Sequence, residues 1–291
     1  MKTRIISGVV GVIVLILALT TFNSLTFNVL AVILYAIALS EIRNTFKENN
    51  SNAVFATMLA MGAYFLLQPY VPQVNPMVIL CLFMVAYSFI VVTCFHTMDF
   101  KNVSASFLFG GYVLIGLYSI LNMKTNMPFA QFGWDATFMF ILCCGIAWGA
   151  DIFAYFAGYF FGKHKLAPTL SPKKTKEGAV GGVLGSVALT WLLFVGYASI
   201  KPMLEGTTAV YAINGRQLAM LAVLAVFGSV LGMIGDLFAS AVKRQTGIKD
   251  YGNIMPGHGG VLDRFDSVLL VSPFVSMLSV VVVARGGVFN V

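Results

Sequence analysis

Apolar residues fill this chain in runs of about twenty, and polar residues gather in the gaps between them. A helix rises 1.5 Å per residue, so about 20 apolar residues carry it across the roughly 30 Å hydrocarbon core of a bilayer. Nine runs approach or exceed that length, near 5–22, 26–41, 53–71, 76–95, 104–122, 135–160, 178–199, 217–240 and 266–285. The pattern predicts an all-α polytopic membrane protein of about nine transmembrane helices. The first run follows Met1-Lys2-Thr3-Arg4. It is longer than the roughly 7–15 residues of a secretion-signal core, and no small-x-small site follows it, so it is read as a retained helix.

Composition agrees with the pattern. The 291 residues are 59% hydrophobic and 10% charged, where a soluble domain carries about 25% charged residues. Orientation follows from the lysines and arginines, which concentrate on the cytoplasmic side of membrane proteins. With the N-terminus inside, the inner segments hold Lys2 and Arg4, Arg43 and Lys47, Lys101, five residues from Lys163 to Lys176 and four from Lys243 to Arg264. The outer side holds only Lys124, Lys201, Arg216 and Arg285, which predicts a cytoplasmic N-terminus and an outer C-terminus. The same bias accounts for most of the net charge of +7, so no nucleic-acid partner is implied. Cys81, Cys94, Cys143 and Cys144 all sit in apolar runs and form neither a disulfide framework nor a zinc spacing.

Loop length divides the chain. Residues 1–134 form short-looped membrane helices, read as a scaffold, whereas 135–291 carry two long inner loops, 161–177 and 241–265, rich in lysine and glycine. No internal repeat is visible, which argues against an inverted-repeat transporter.

An ionisable group in mid-membrane costs about 2.5–3.5 kcal/mol on the insertion scale, so each one asks for a reason. Asp135 follows Trp134 at the outer boundary and is expected to cap its helix. Asp151 lies well inside the sixth run, on a face shared with Trp148 and Tyr155, as an interhelical hydrogen bond or a site residue. Ser171-Pro-Lys-Lys-Thr-Lys-Glu-Gly178 reads as an anion cradle, with Lys173 and Lys174 the better phosphate candidates, or as a basic loop that only obeys the positive-inside bias. Gly178, Gly181, Gly182 and Gly185 form a small-residue stripe, as do Gly228, Gly232 and Gly235, and close helix packing is the preferred reading of both. Such stripes also permit association into a homodimer.

The densest charge lies between Asp236 and Asp266, which hold four of the eleven acidic residues, Asp236, Asp250, Asp263 and Asp266. Lys243, Arg244, Lys249, Arg264 and His258 accompany them. Asp236, Ser240, Lys243 and Arg244 follow at helical spacing. Pro256 discourages helix, while Gly257, Gly259 and Gly260 let the backbone bend around His258 and offer amides to phosphate oxygens. Carboxylates beside cations are the pattern expected where Mg2+ binds together with phosphates; interfacial salt bridges are the plainer reading.

SAVKRQTGIKDYGNIMPGHGGVLDRFD closely resembles the signature of phosphatidate cytidylyltransferases, the CDP-diacylglycerol synthases. DIFAYFAGYFFGK and SPKKTKEG look like that family's upstream segments, so the resemblance is specific over about 145–182 and 232–266. Met255 and Lys176 are mild departures that remove no charged ligand. The resemblance implies that CTP and phosphatidic acid are converted to CDP-diacylglycerol and pyrophosphate with Mg2+, one or two cations being left open. It implies an integral enzyme of the bacterial plasma membrane whose site faces the cytoplasm. On that footing Asp236, Ser240, Lys243, Arg244, Asp263 and Arg264 are the expected catalytic residues. Ser171, Lys173, Lys174, Lys249, His258, Gly259, Gly260 and Asp151 are expected to bind substrate, with Asp236 and Asp263 as the leading metal ligands and Asp250 and Asp266 as weaker ones. A CTP-dependent enzyme acting on another lipid phosphate and an anion or lipid-phosphate transporter are the alternatives.

Overall fold

The computed structural model describes residues 2–47, 52–254, 257 and 259–290. Ten α-helices follow in order, α1 (Lys2–Thr21), α2 (Leu25–Thr45), α3 (Asn52–Leu67), α4 (Pro76–Thr93), α5 (Phe100–Asn126), the single turn α6 (Phe129–Phe132), α7 (Asp135–Phe161), α8 (Lys176–Glu205), α9 (Gly215–Thr246) and α10 (Leu262–Ala284). Every predicted run is a helix. Among the described residues eight spans have the length and apolar character to cross a membrane, and the apolar part of α1, Gly8–Thr21, is shorter. The protein is an all-α integral membrane protein. Its lipid-facing surface is plain on α4, where Met77, Val85 and Val92 are 65%, 68% and 74% exposed.

One element was not expected. The loop before α8 folds into a hairpin of β1 (Lys165–Ala167) and β2 (Ser171–Thr175), antiparallel, with Lys165 opposite Thr175 and Ala167 opposite Ser171. Strands of three and five residues with no alternation of apolar and polar positions leave little trace in sequence.

The chain forms two compact units, each built from two stretches. The first is Met1–Leu121 with Val242–Phe265. Tyr35, Phe22, Ile42 and Leu66 are fully buried at its centre. Asn28 Nδ2 donates to the Leu66 carbonyl at 2.6 Å, satisfying an acceptor where α3 ends.

The second unit is Asn122–Ala241 with Asp266–Val291. Its centre is the pairing of α7 with α8, and the glycine stripe of α8 is what lets the backbones approach. A Cβ placed on Gly182 would stand 2.7 Å from the Ala150 carbonyl oxygen, and one on Gly178 2.7 Å from that of Ala154. On α9 a Cβ on Gly235 would meet the Asp266 carbonyl oxygen at 2.6 Å. Both stripes are thus used within the chain and carry no argument for a second copy.

At the start of α7 the structure corrects the expectation for Asp135. Its carboxylate is buried and accepts from Lys201 Nζ at 2.6 Å and Tyr197 Oη at 2.7 Å through Oδ1, and from the Val288 amide at 3.2 Å through Oδ2. Lys201 is likewise no loop residue, because α8 runs six residues past its predicted end near 199. The Lys201 ammonium is held by Asp135 and lies 4.9 Å from the centre of the Tyr211 ring, so it can stay inside a helix.

Gly182→Val forces a branched side chain against a backbone oxygen, and overpacking of this kind costs about 1–3 kcal/mol. Gly182→Val is therefore expected to lower the thermal unfolding midpoint in detergent. Gly196→Val, where a Cβ would meet nothing within 4 Å, leaves that midpoint unchanged.

Candidate functional site

The second unit gathers Asp151, Lys174, Asp236, Ser240 and Ser267 from four elements. The hairpin supplies Lys174. Thr175 caps α8 by accepting the Gly178 amide at 3.1 Å. Glu177, in the first turn of α8, accepts the amides of Lys163 at 3.1 Å and His164 at 3.2 Å, and its carboxylate lies 2.6 Å from His164 Nδ1. These bonds tie both ends of the hairpin to one helix start and fix the direction of the strand between them. Lys174 is then half-buried, while Lys173 and Pro172 are exposed.

The Lys174 ammonium forms an ion pair with Asp236 and lies 4.0 Å from Asp151 Oδ1. Ser267 Oγ donates to Asp151 Oδ2 at 2.9 Å, and Ser240 Oγ reaches Asp236 Oδ1 at 3.5 Å. Two carboxylates from α7 and α9 thus flank one cation, each with a hydroxyl beside it. Asp266 turns back on its own neighbour, accepting the Ser267 amide at 2.8 Å.

The donor set fits a hard divalent cation. Mg2+ is usually bound by one or two carboxylates completed by water and substrate phosphates. Asp151 and Asp236 supply two carboxylates, and the Lys174 ammonium already places positive charge between them. No group of three or more His, Cys, Asp or Glu side chains capable of holding a metal occurs among the described residues.

The first unit holds its own set of paired groups. Asp263 Oδ1 accepts from Lys243 Nζ at 2.7 Å, and Oδ2 accepts the amides of Tyr251 at 2.8 Å and Gly260 at 3.0 Å. The Lys243 ammonium lies 5.3 Å from the centre of the Tyr251 ring, which packs against Phe109. Gly259 has φ +86° and Gly257 φ +80°, the left-handed backbone that favours glycine. Gly260 uses its amide on Asp263 rather than leaving it open.

Each unit thus engages part of the expected set. Asp151, Lys174, Asp236 and Ser240 come together in one unit, and Lys243, Asp263 and Gly260 in the other. Arg244, Lys249, Asp250 and Arg264 are exposed, Ser171 is half-buried at the head of β2, and His258 lies outside the described residues.

Three residues escaped the sequence reading. Ser267 adjoins the Asp266 that drew attention, and Glu177 stands inside a motif noted for its serine and lysines. Glu41, in the apolar α2, is buried and accepts the amides of Val261 at 2.8 Å and Leu262 at 2.9 Å. The rule that singled out Asp151, that an ionisable group in a membrane helix needs a reason, points equally to Glu41.

The cytidylyltransferase family model matches residues 2–282. The phosphatidate cytidylyltransferase of Bacillus subtilis (strain 168) is 32% identical over 286 residues, covering 96% of this chain and 97% of that protein. The phosphatidate cytidylyltransferase of Staphylococcus aureus (strain COL) is 32% identical over 282 residues, covering 96% and 98%. That of Staphylococcus saprophyticus is 29% identical over 282 residues, with the same coverage.

Replacing Lys174 with Met leaves Asp151 and Asp236 facing each other without a cation. The expected destabilisation in divalent-free buffer falls between the ~1 kcal/mol of an exposed pair and the ~3–5 kcal/mol of a buried one. Added Mg2+ should restore the thermal midpoint of Lys174→Met more than it raises that of the parent. Lys173→Met should show neither effect.

Proposed function

The chain belongs to the cytidylyltransferase family, and from that premise we propose that it transfers CMP from CTP to phosphatidic acid, releasing pyrophosphate and forming CDP-diacylglycerol. The observation that carries the proposal is the Asp151–Lys174–Asp236 arrangement, a cation held between two carboxylates on a hairpin and two membrane helices.

The chemistry asks little of a general base. The nucleophile is a phosphate oxygen of phosphatidate, whose second pKa is about 6, so it is largely deprotonated at neutral pH. That oxygen bonds to the α-phosphorus of CTP as the bond to the β-phosphate bridging oxygen breaks, and the electron pair leaves with pyrophosphate. The difficulty is repulsion between two polyanions, and fixed positive charge answers it. Asp236 and Asp151 would hold Mg2+, which when bound neutralises phosphate charge. Lys174 supplies a further cation beside them. Arg244, Arg264 and Lys249 are assigned to phosphate oxygens. Asp263 keeps the Tyr251 and Gly260 amides and Lys243 in place, and Ser240 and Ser267 orient the carboxylates.

Bond geometry supports the predicted sidedness. The bond from the Val261 amide to Glu41 joins the C-terminal end of α2 to the start of α10, which supports putting both at one membrane face. The lysine and arginine distribution supports a cytoplasmic assignment for that face, so the plasma membrane with an inward-facing site is the proposed location.

Purified protein in detergent should release pyrophosphate from CTP only when phosphatidic acid is present, and Asp236→Asn should lower kcat at least ~100-fold at unchanged folded fraction. Release with a different lipid phosphate but not with phosphatidic acid would change the substrate. No release with any lipid would remove the assignment.

A further inference from the structure

We infer that Glu41 is a positioning residue for the start of α10, where Asp263 stands, and for the loop that leads into it, an inference that rests on the reaction proposed above. Glu41 is 3% exposed and sits near the end of α2. One oxygen accepts the Val261 amide at 2.8 Å and the other the Leu262 amide at 2.9 Å. Those amides open α10, where the first turn has no intrahelical acceptor and the helix dipole favours negative charge. A carboxylate more than 200 residues away in sequence thus does the work that a local capping side chain usually does.

The loop is shaped to receive it. A Cβ on Gly252 or on Gly260 would stand 2.5 Å from Glu41 Oε1, so both positions admit only hydrogen beside the carboxylate. Gly260 is also the residue whose amide Asp263 binds, and Tyr251, next to Gly252, supplies Asp263 with its other amide. Glu41 therefore grips the loop from outside at the residues that Asp263 grips from within. Asp263 follows Leu262 directly, so moving the Leu262 amide moves the carboxylate that holds Lys243.

Glutamine keeps the shape of Glu41 but replaces one acceptor with an N–H donor, which then faces a backbone N–H. A shift of about 1 Å in a supporting group can cost ~100-fold in rate. The expected result for Glu41→Gln is a kcat for CTP-dependent pyrophosphate release lowered ~100-fold per folded enzyme, with the KM for CTP within about twofold. Amide hydrogen exchange in the peptide covering Gly259–Asp263 should accelerate. Gly252→Ala puts a methyl group against Glu41 Oε1 and should give the same kcat loss and the same faster exchange. It keeps the question answerable if Glu41→Gln folds poorly. Unchanged exchange in both variants overturns the inference, as does faster exchange with kcat within twofold of the parent. A parent protein that releases no pyrophosphate overturns the proposed reaction instead, and the inference that rests on it.

Discussion

A carboxylate removed from water costs several kcal/mol unless a cation or hydrogen-bond donors answer it. In an otherwise hydrocarbon-rich chain this constraint decides which parts of the backbone come together. Asp135 is answered by Lys201, Tyr197 and the Val288 amide; Asp236 by Lys174; Asp151 by Ser267 with Lys174 nearby; Asp263 by Lys243 and two amides; Glu41 by two amides. Apolar packing fills the space between these points but is nondirectional. The paired charges set which helix ends meet.

The same economy links fold to chemistry. Asp135 has a full set of partners from its own chain and is structural. Asp151 and Asp236 share one lysine between them, with side chains 38% and 23% exposed, which leaves negative charge at the surface for an incoming cation and its phosphates. The glycine stripe of α8 contributes indirectly. By bringing α8 against α7 it sets the hairpin that precedes α8 beside the α7 residue Asp151, so Lys174 can approach that carboxylate.

Much of this was legible in the chain, because the signals were strong and local. Apolar runs of about twenty residues have few folded outcomes, and all nine became helices. The charged motifs named Lys174, Asp236, Ser240, Lys243 and Asp263, and the structure engages each of them. What the sequence hid was pairing at a distance. Nothing near Glu41 points to Val261, and Lys201 read as an outer-loop charge because its partner lies 66 residues away. The hairpin was too short to show a period, so Lys173 and Lys174 looked equivalent until strand direction separated an exposed lysine from one held by Asp236. The same limit applied to Asp263, whose bonds to Lys243 and to the Tyr251 and Gly260 amides had no local signal.

The central claim is that the fixed charges serve transfer of a nucleotidyl group, with bond cleavage between the α- and β-phosphates of CTP. Following the phosphorus atoms tests it most directly. CTP radiolabelled at the α-phosphorus and, separately, at the γ-phosphorus is incubated with the purified protein and phosphatidic acid, and lipid is separated from water-soluble products. The account predicts α-label in the lipid and γ-label in pyrophosphate alone. γ-Label in the lipid, or α-label that stays wholly in the aqueous phase, would contradict it.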